Sequence, residues 1–176
     1  MFYVGADYLD IRFAEVNNDL FEVTARMITD LMNYHRKLNN APKEFWQTDE
    51  ESRETLKEWL GNGTVYIVYA DNVVVGLVYI KYGGQDVAWL EDLFIAEEYR
   101  GRGIGKRTFR MLDELMKEKN VRAMFVSVIP RNISALAFYI HCGFDHLNMI
   151  ELRKNYDERL NKTDEVEVLG FNLKKY

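Results

Sequence analysis

Residues 87–107 read VAWLEDLFIAEEYRGRGIGKR, and the two halves of this stretch ask for different structures. Val87 to Ile95 carries the apolar and aromatic pattern of a strand, whereas Thr108, Leu112, Leu115 and Met116 beyond it recur at helical spacing. Between them Gly101, Gly103 and Gly105 alternate with Arg100, Arg102, Ile104 and Lys106, so a glycine-rich basic loop opens onto a helix N-terminus. Unsatisfied backbone N–H groups and the positive end of the helix dipole favour an anion there. The glycines would let a ligand approach the backbone, and Arg100, Arg102 and Lys106 could neutralise its charge. A plain solvated turn reads the same way. Neither G-x-x-x-x-G-K-[ST] nor G-x-G-x-x-G is present, so nucleotide triphosphates and dinucleotides are not indicated.

Working outward, the preceding pattern predicts a short strand over Leu9–Ala14. An amphipathic helix follows, carrying Leu20, Val23, Met27, Ile28 and Leu31, with Asp19 and Glu22 at capping-box spacing. A second helix carries Leu56, Trp59 and Leu60, with Thr48 and Glu51 as its cap and Gly61 as a left-handed stop. The polar, turn-rich segment His35–Trp46 between them reads as a lid. Thr64–Ala70 and Val73–Tyr82 predict a hairpin turning at Asp71-Asn72, and Gly83-Gly84 turns the chain into Val87–Ile95. On the C-terminal side lie a buried strand over Ala123–Ile129, a helix with the stripe Ile133, Leu136, Ile140 ending before Gly143, and alternating segments over Phe144–Leu152 and Glu165–Leu173. The expected fold is α+β, a mixed, mostly antiparallel sheet flanked by helices in the order β-αα-βββ-α-β-α-ββ.

The chain has 176 residues, 48% apolar and 29% charged, with two prolines and no linker or repeat, so one domain over 1–176 is expected. A lone cysteine, Cys142, excludes a disulfide-framed module and fits the cytoplasm; with no His and acid set at nucleophile spacing it reads as a small packed residue. The first twenty residues lack a leader pattern, and no apolar run approaches the roughly 20 residues of a membrane span. A net charge of −5 argues against a general nucleic-acid binder and for a cationic ligand. His35, His141 and His146 have no zinc-ligand spacing, so no metal is expected.

Asn132, Ala135 and Tyr139 fall on one helical face beside the Ile133 stripe, which leaves Tyr139 either an interfacial residue or one with a polar task. Together, Arg100-x-x-Gly103-x-Gly105 after a strand, Asn132-x-x-Ala135-x-x-Phe138-Tyr139 and Gly143-Phe144 resemble the acetyl-CoA-binding core of the GNAT N-acetyltransferases. The element order agrees over nearly the whole chain. Leu90-Glu-Asp-Leu-Phe-Ile95 with Tyr99-Arg-Gly101 is most similar to the diamine and polyamine branch.

The resemblance implies acetyl-CoA as co-substrate, its pyrophosphate on the loop formed by Arg100, Gly101, Arg102, Gly103, Ile104, Gly105 and Lys106. It implies a pantetheine arm along Leu93, Phe94 and Ile95, held from the other side by Asn132, in a cleft opened by two splayed strands. An alkyl amine arrives protonated and needs a base, for which Glu91 is the candidate, with Asp92 beside it for a second cationic group. Both carboxylates reach one cleft only if a bulge re-aims one of them; that bulge would also turn an N–H of Leu93 or Phe94 toward the oxyanion. Tyr139, touching the co-substrate, would protonate the leaving thiolate, and Trp89 and Tyr34 would line an acceptor pocket. The expected function is direct acetyl transfer to a small cationic amine. A peptide or lysine acetyltransferase and a non-catalytic acyl-CoA sensor are the alternatives. The final strands also offer an edge for a homodimer.

Overall fold

In a computed structural model, residues 9–84 and 86–176 are described. The first eight residues, part of the segment read above as leaderless, lie outside them. The chain divides into two compact units, one of 9–37 with 41–127 and one of 38–40 with 128–176.

The first unit is built on a five-stranded sheet ordered β1-β2-β3-β4-β5, with β1 Ile11–Glu15, β2 Thr64–Ala70, β3 Val73–Gly83, β4 Val87–Ile95 and β5 Ala123–Val126. The first four strands form an antiparallel meander, and β5 lies parallel to β4. A parallel neighbour needs a crossover, and α3, Ile104–Glu118, supplies it. α1, Phe21–Leu38, and α2, Asp49–Asn62, bury Ala25, Ile28, Leu31, Leu56 and Trp59 with Val65, Ile67, Leu77, Tyr79 and Phe94 of the sheet. α3 buries Ile104, Thr108, Phe109, Leu112 and Met116 and packs on β1 and β4.

Local chemistry explains where the strands and helices stop, and in places it differs from the sequence reading. The turn between β2 and β3 uses Asp71 and Asn72 at φ 49° and 66°, the left-handed pair that a tight hairpin requires. α2 has its Thr48–Glu51 capping box. The Asp19–Glu22 box does not form: a 3-10 turn precedes α1, and Asn17 Oδ1 accepts from the N–H groups of Asp19 and Leu20 at 3.0 and 3.2 Å. α2 runs through Gly61 and ends at Gly63, which is extended; a Cβ there would stand 2.3 Å from the Ile80 carbonyl oxygen. α1 continues to Leu38, so the first part of the expected lid is helix. The remainder is tied back, with Asn33 and Gln47 exchanging hydrogen bonds of 2.8 and 3.0 Å and Arg36 Nε donating to the Phe45 carbonyl.

The second unit holds α4, Ile133–His141, and the antiparallel hairpin of β6, Glu165–Val168, and β7, Phe171–Lys174. Gly143 at φ 98° follows α4, as its position suggested. Two expectations fail here. Phe144–Leu152 is irregular, because alternation selects a face but a strand also needs an edge to pair with, and this segment pairs with none among the described residues. Glu165–Leu173, expected as a single strand finishing the mixed sheet, instead supplies both strands of the β6–β7 hairpin, a separate sheet. β5 is also shorter than expected, stopping at Val126, and is half-exposed. No helix among the described residues is long and apolar enough to cross a membrane.

Candidate active site

The site begins with an irregularity in the β3–β4 ladder. Ile80 pairs with Leu90 and Tyr79 with Asp92, so β4 carries one extra residue, Glu91, between two consecutive pairs. Such a bulge breaks the strand's alternation and turns neighbouring side chains to one side. Glu91 Oε1 lies 3.4 Å from Lys81 Nζ, which places it on the β3 face that carries Tyr79 and Lys81. Asp92, paired with Tyr79, belongs to that face as well. The two carboxylates thus share a face, the condition that a regular strand would not have met.

Their surroundings differ. Glu91 is exposed and bound to Lys81, whereas Asp92 is half-buried. Burial, with the charge of Glu91 adding to it and that of Lys81 opposing it, pushes the Asp92 carboxyl up to about 7. For Lys81, burial works against the charge, but Glu91 and Tyr79 outweigh it and hold the ammonium above its usual value. Tyr79 is backed by Trp59, whose ring stacks on it at 4.4 Å, and its buried hydroxyl lies within reach of Lys81.

Past the bulge β4 loses one neighbour. Pairing with β5 ends at Leu90↔Val126, where β5 stops, while β4 runs on to Ile95, so beyond Leu90 one β4 edge has no strand partner among the described residues. Alternate residues serve that edge. The Phe94 carbonyl points at β3, where a Cβ on Gly76 would come within 2.2 Å of it, and the Ala96 N–H donates to Val75 O. Leu93 and Ile95 therefore present their main-chain groups to the open edge, and Phe94 does not. The Ile95 carbonyl is taken by Arg100 Nε at 2.7 Å. Of the three residues expected to pair with an extended ligand, Leu93 is placed to do so through both main-chain groups and Ile95 through its N–H. Phe94 contributes a buried side chain.

Gly101 and Gly103 have φ of 75° and 76°, left-handed conformations in which a Cβ would meet nothing, so the backbone stands open. Gly103 caps α3 without a side chain of its own. Ile104 is buried and can offer only its N–H. Arg102 and Lys106 are exposed, but the Arg100 guanidinium is folded back over the Tyr34 ring at 4.5 Å and Phe94 at 5.4 Å. Charge for an anion is left to Arg102 and Lys106, and the loop fits a phosphate group held by main-chain N–H donors.

Tyr34 and Arg100 also border a cleft of about 360 Å³ with Asp30, Lys37, Trp46 and Glu98. Burial, then Glu98 and Asp49, raises the Asp30 carboxyl. Trp89 lies apart from this cleft, stacked on Phe125 at 5.5 Å and covering Gly83. Lys81 and Asp30 were not singled out in the sequence; only strand pairing and helix packing bring them into view.

In the second unit, Asn132 caps α4, its Oδ1 accepting from the Ala135 N–H at 3.1 Å and the Ser134 hydroxyl at 3.0 Å, with Nδ2 remaining as a donor. Tyr139 is buried, with edge contacts to Phe138 and Phe144. Ile133, Leu136 and Ile140, the stripe expected to pack, are exposed instead.

A meander whose bulged fourth strand runs beyond its parallel neighbour into a glycine loop at a helix N-terminus has the architecture of an acetyltransferase fold. The acetyltransferase (GNAT) family model matches residues 30–144, and the chain belongs to that family. Streptothricin acetyltransferase A of Bacillus subtilis (strain 168) is 25% identical over 136 residues, 75% of this chain and 78% of that protein. Spermine/spermidine N(1)-acetyltransferase of the same organism is 33% identical over 57 residues, 32% of this chain and 38% of that protein. Against other curated relatives the match spans 25% and 46% of their length. The solved aminoglycoside N-acetyltransferase AAC(6')-Iy in complex with CoA superposes with a TM-score of 0.58 at 18% identity, over 88% of this chain and all of that one.

Proposed function

We propose that the protein transfers an acetyl group from acetyl-CoA to the amino group of a small cationic amine. The observation that carries this reading is the open β4 edge at Leu93 and Ile95, between the half-buried carboxylate of Asp92 and the N-terminus of α3, which has no side-chain cap. Family membership and the relatives named for streptothricin, aminoglycoside and spermine/spermidine acetylation support the donor and the acceptor class.

The chemistry needs three tasks. The amine, with a pKa near 10.4, must give up a proton before its lone pair can attack the thioester carbon. Asp92 is better suited to accept that proton than Glu91, the expected base, because a carboxyl near 7 is about half ionised at neutral pH and basic enough to hold the proton it takes. Glu91 then supplies negative charge for the incoming cation. As the C–N bond forms, the carbonyl oxygen gains charge, which the Leu93 N–H on the open edge can stabilise. When the C–S bond breaks, the thiolate takes a proton from Tyr139; support for this role, and for Asn132 as a donor to the pantetheine arm, is the motif that α4 presents.

Coenzyme A thiol release with spermidine, short diamines, an aminoglycoside, single amino acids and a basic peptide tests the reading. Saturable release with a small amine, strongly reduced in Tyr139→Phe with acetyl-CoA affinity kept, is expected. Release with the peptide alone would overturn the acceptor class, and acetyl-CoA binding without release to any acceptor would favour an acyl-CoA sensor.

A further inference from the structure

Beside the two carboxylates at the bulge stands a third charged side chain, Lys81 of β3, outside the motifs quoted above. Lys81 is two residues beyond Tyr79 on β3, so both extend from the same face, opposite Trp89 and Asp92 respectively. Its Nζ lies 3.4 Å from Glu91 Oε1 and 5.4 Å from the centre of the Tyr79 ring, which fixes it over the aromatic and against the bulged carboxylate.

We propose that Lys81 is a positioning residue for proton transfer: its ammonium holds the Glu91 carboxylate at the bulge and, by offsetting that charge, leaves Asp92 free to act as a proton acceptor. This rests on the acetyltransferase reading only for its catalytic consequence; the electrostatic arrangement stands on the geometry. The groups facing Asp92 are Glu91 on its own strand and Lys81 and Tyr79 on β3, and Glu58 of α2 faces the Tyr79 hydroxyl. Burial and Glu91 favour the neutral carboxyl, and Lys81 alone among these favours the charged one. Without Lys81, Asp92 stands beside an uncompensated negative charge on a half-buried site and retains its proton to higher pH. An exposed ion pair as long as this one adds little to stability, so its consequence is electrostatic tuning rather than folding.

The test is a carbon-13 NMR titration of the Asp92 carboxyl in the full chain, for wild type, Lys81→Met and Lys81→Arg, with Asp92→Asn assigning the signal. The midpoint is expected near 7 in wild type, higher by about one pH unit in Lys81→Met, and close to wild type in Lys81→Arg. An unmoved midpoint in a folded Lys81→Met protein overturns the proposal, as does Lys81→Arg behaving like Lys81→Met. Turnover read on the same proteins separates the two claims. A moved midpoint with turnover unaffected in Asp92→Asn would refute Asp92 as the base while leaving the tuning by Lys81 in place.

Discussion

Asp92 is the cross-strand partner of Tyr79 although the neighbouring pair, Ile80 with Leu90, leaves Glu91 between them without a partner of its own. That single extra residue sets two adjacent carboxylates on one face, one tied to Lys81 and exposed, the other half-buried. Burial and the adjacent Glu91 charge raise the Asp92 carboxyl, which suits it to a proton-accepting role.

Removing the two carboxyl groups in turn should therefore have unequal effects. Asp92→Asn is expected to lower kcat by about 100-fold or more, the usual scale for losing a general base. Glu91→Gln should act mainly on the KM of a cationic acceptor. Initial rates against amine concentration at saturating acetyl-CoA check both, and the reverse pattern would return the base to Glu91.

Asp92 should also leave a mark on stability. Its carboxyl stands at about 7 when folded against an ordinary 3.8, so between those values the folded chain holds a proton that the unfolded chain releases. Its contribution is present in full at low pH and is lost as pH rises from about 4 to about 7. Asp92→Asn cannot ionise, so its Tm relative to wild type should rise across that window. A constant Tm difference from pH 4 to 8 would contradict the raised value.

The glycines of the loop make a separate expectation. Alanine at 103 meets no atom but is forced to φ 76°, at a cost of about 1 kcal/mol. Gly103→Ala should raise the KM for acetyl-CoA several-fold while kcat at saturation stays near wild type, as measured by steady-state kinetics.

Asn132 carries two tasks on two atoms, and substitutions can divide them. Asn132→Ala removes the α4 cap and should cost about 1 kcal/mol in denaturant unfolding. Asn132→Asp keeps the capping oxygen and loses the Nδ2 donor, so it should retain stability while weakening acetyl-CoA binding. Equal binding by Asn132→Asp and wild type would remove Asn132 from the co-substrate site.

Much of this was legible in the chain. The period change at Thr64, the Asp71-Asn72 turn and the run from Val87 through the glycine loop act locally, through pleat, φ and caps, so residue order alone placed the sheet and the loop. The bulge was expected, but which carboxylate it would bury depends on register against β3, and that is a property of two strands. For the same reason Lys81 went unnoticed, and Arg100, read as a charge for phosphate, turned out to stack on Tyr34 of α1. Asn17 displaced Asp19 as a cap because the chain enters α1 through a 3-10 turn.

The most direct test of the account is kcat against pH for wild type and Asp92→Asn, with the amine giving the fastest thiol release and both substrates saturating. Wild-type turnover should rise to a plateau with a midpoint near 7, and the residual rate of Asp92→Asn should lack that rise. The same rise, at the same midpoint, in Asp92→Asn would contradict the claim that the proton leaves the amine at this carboxylate.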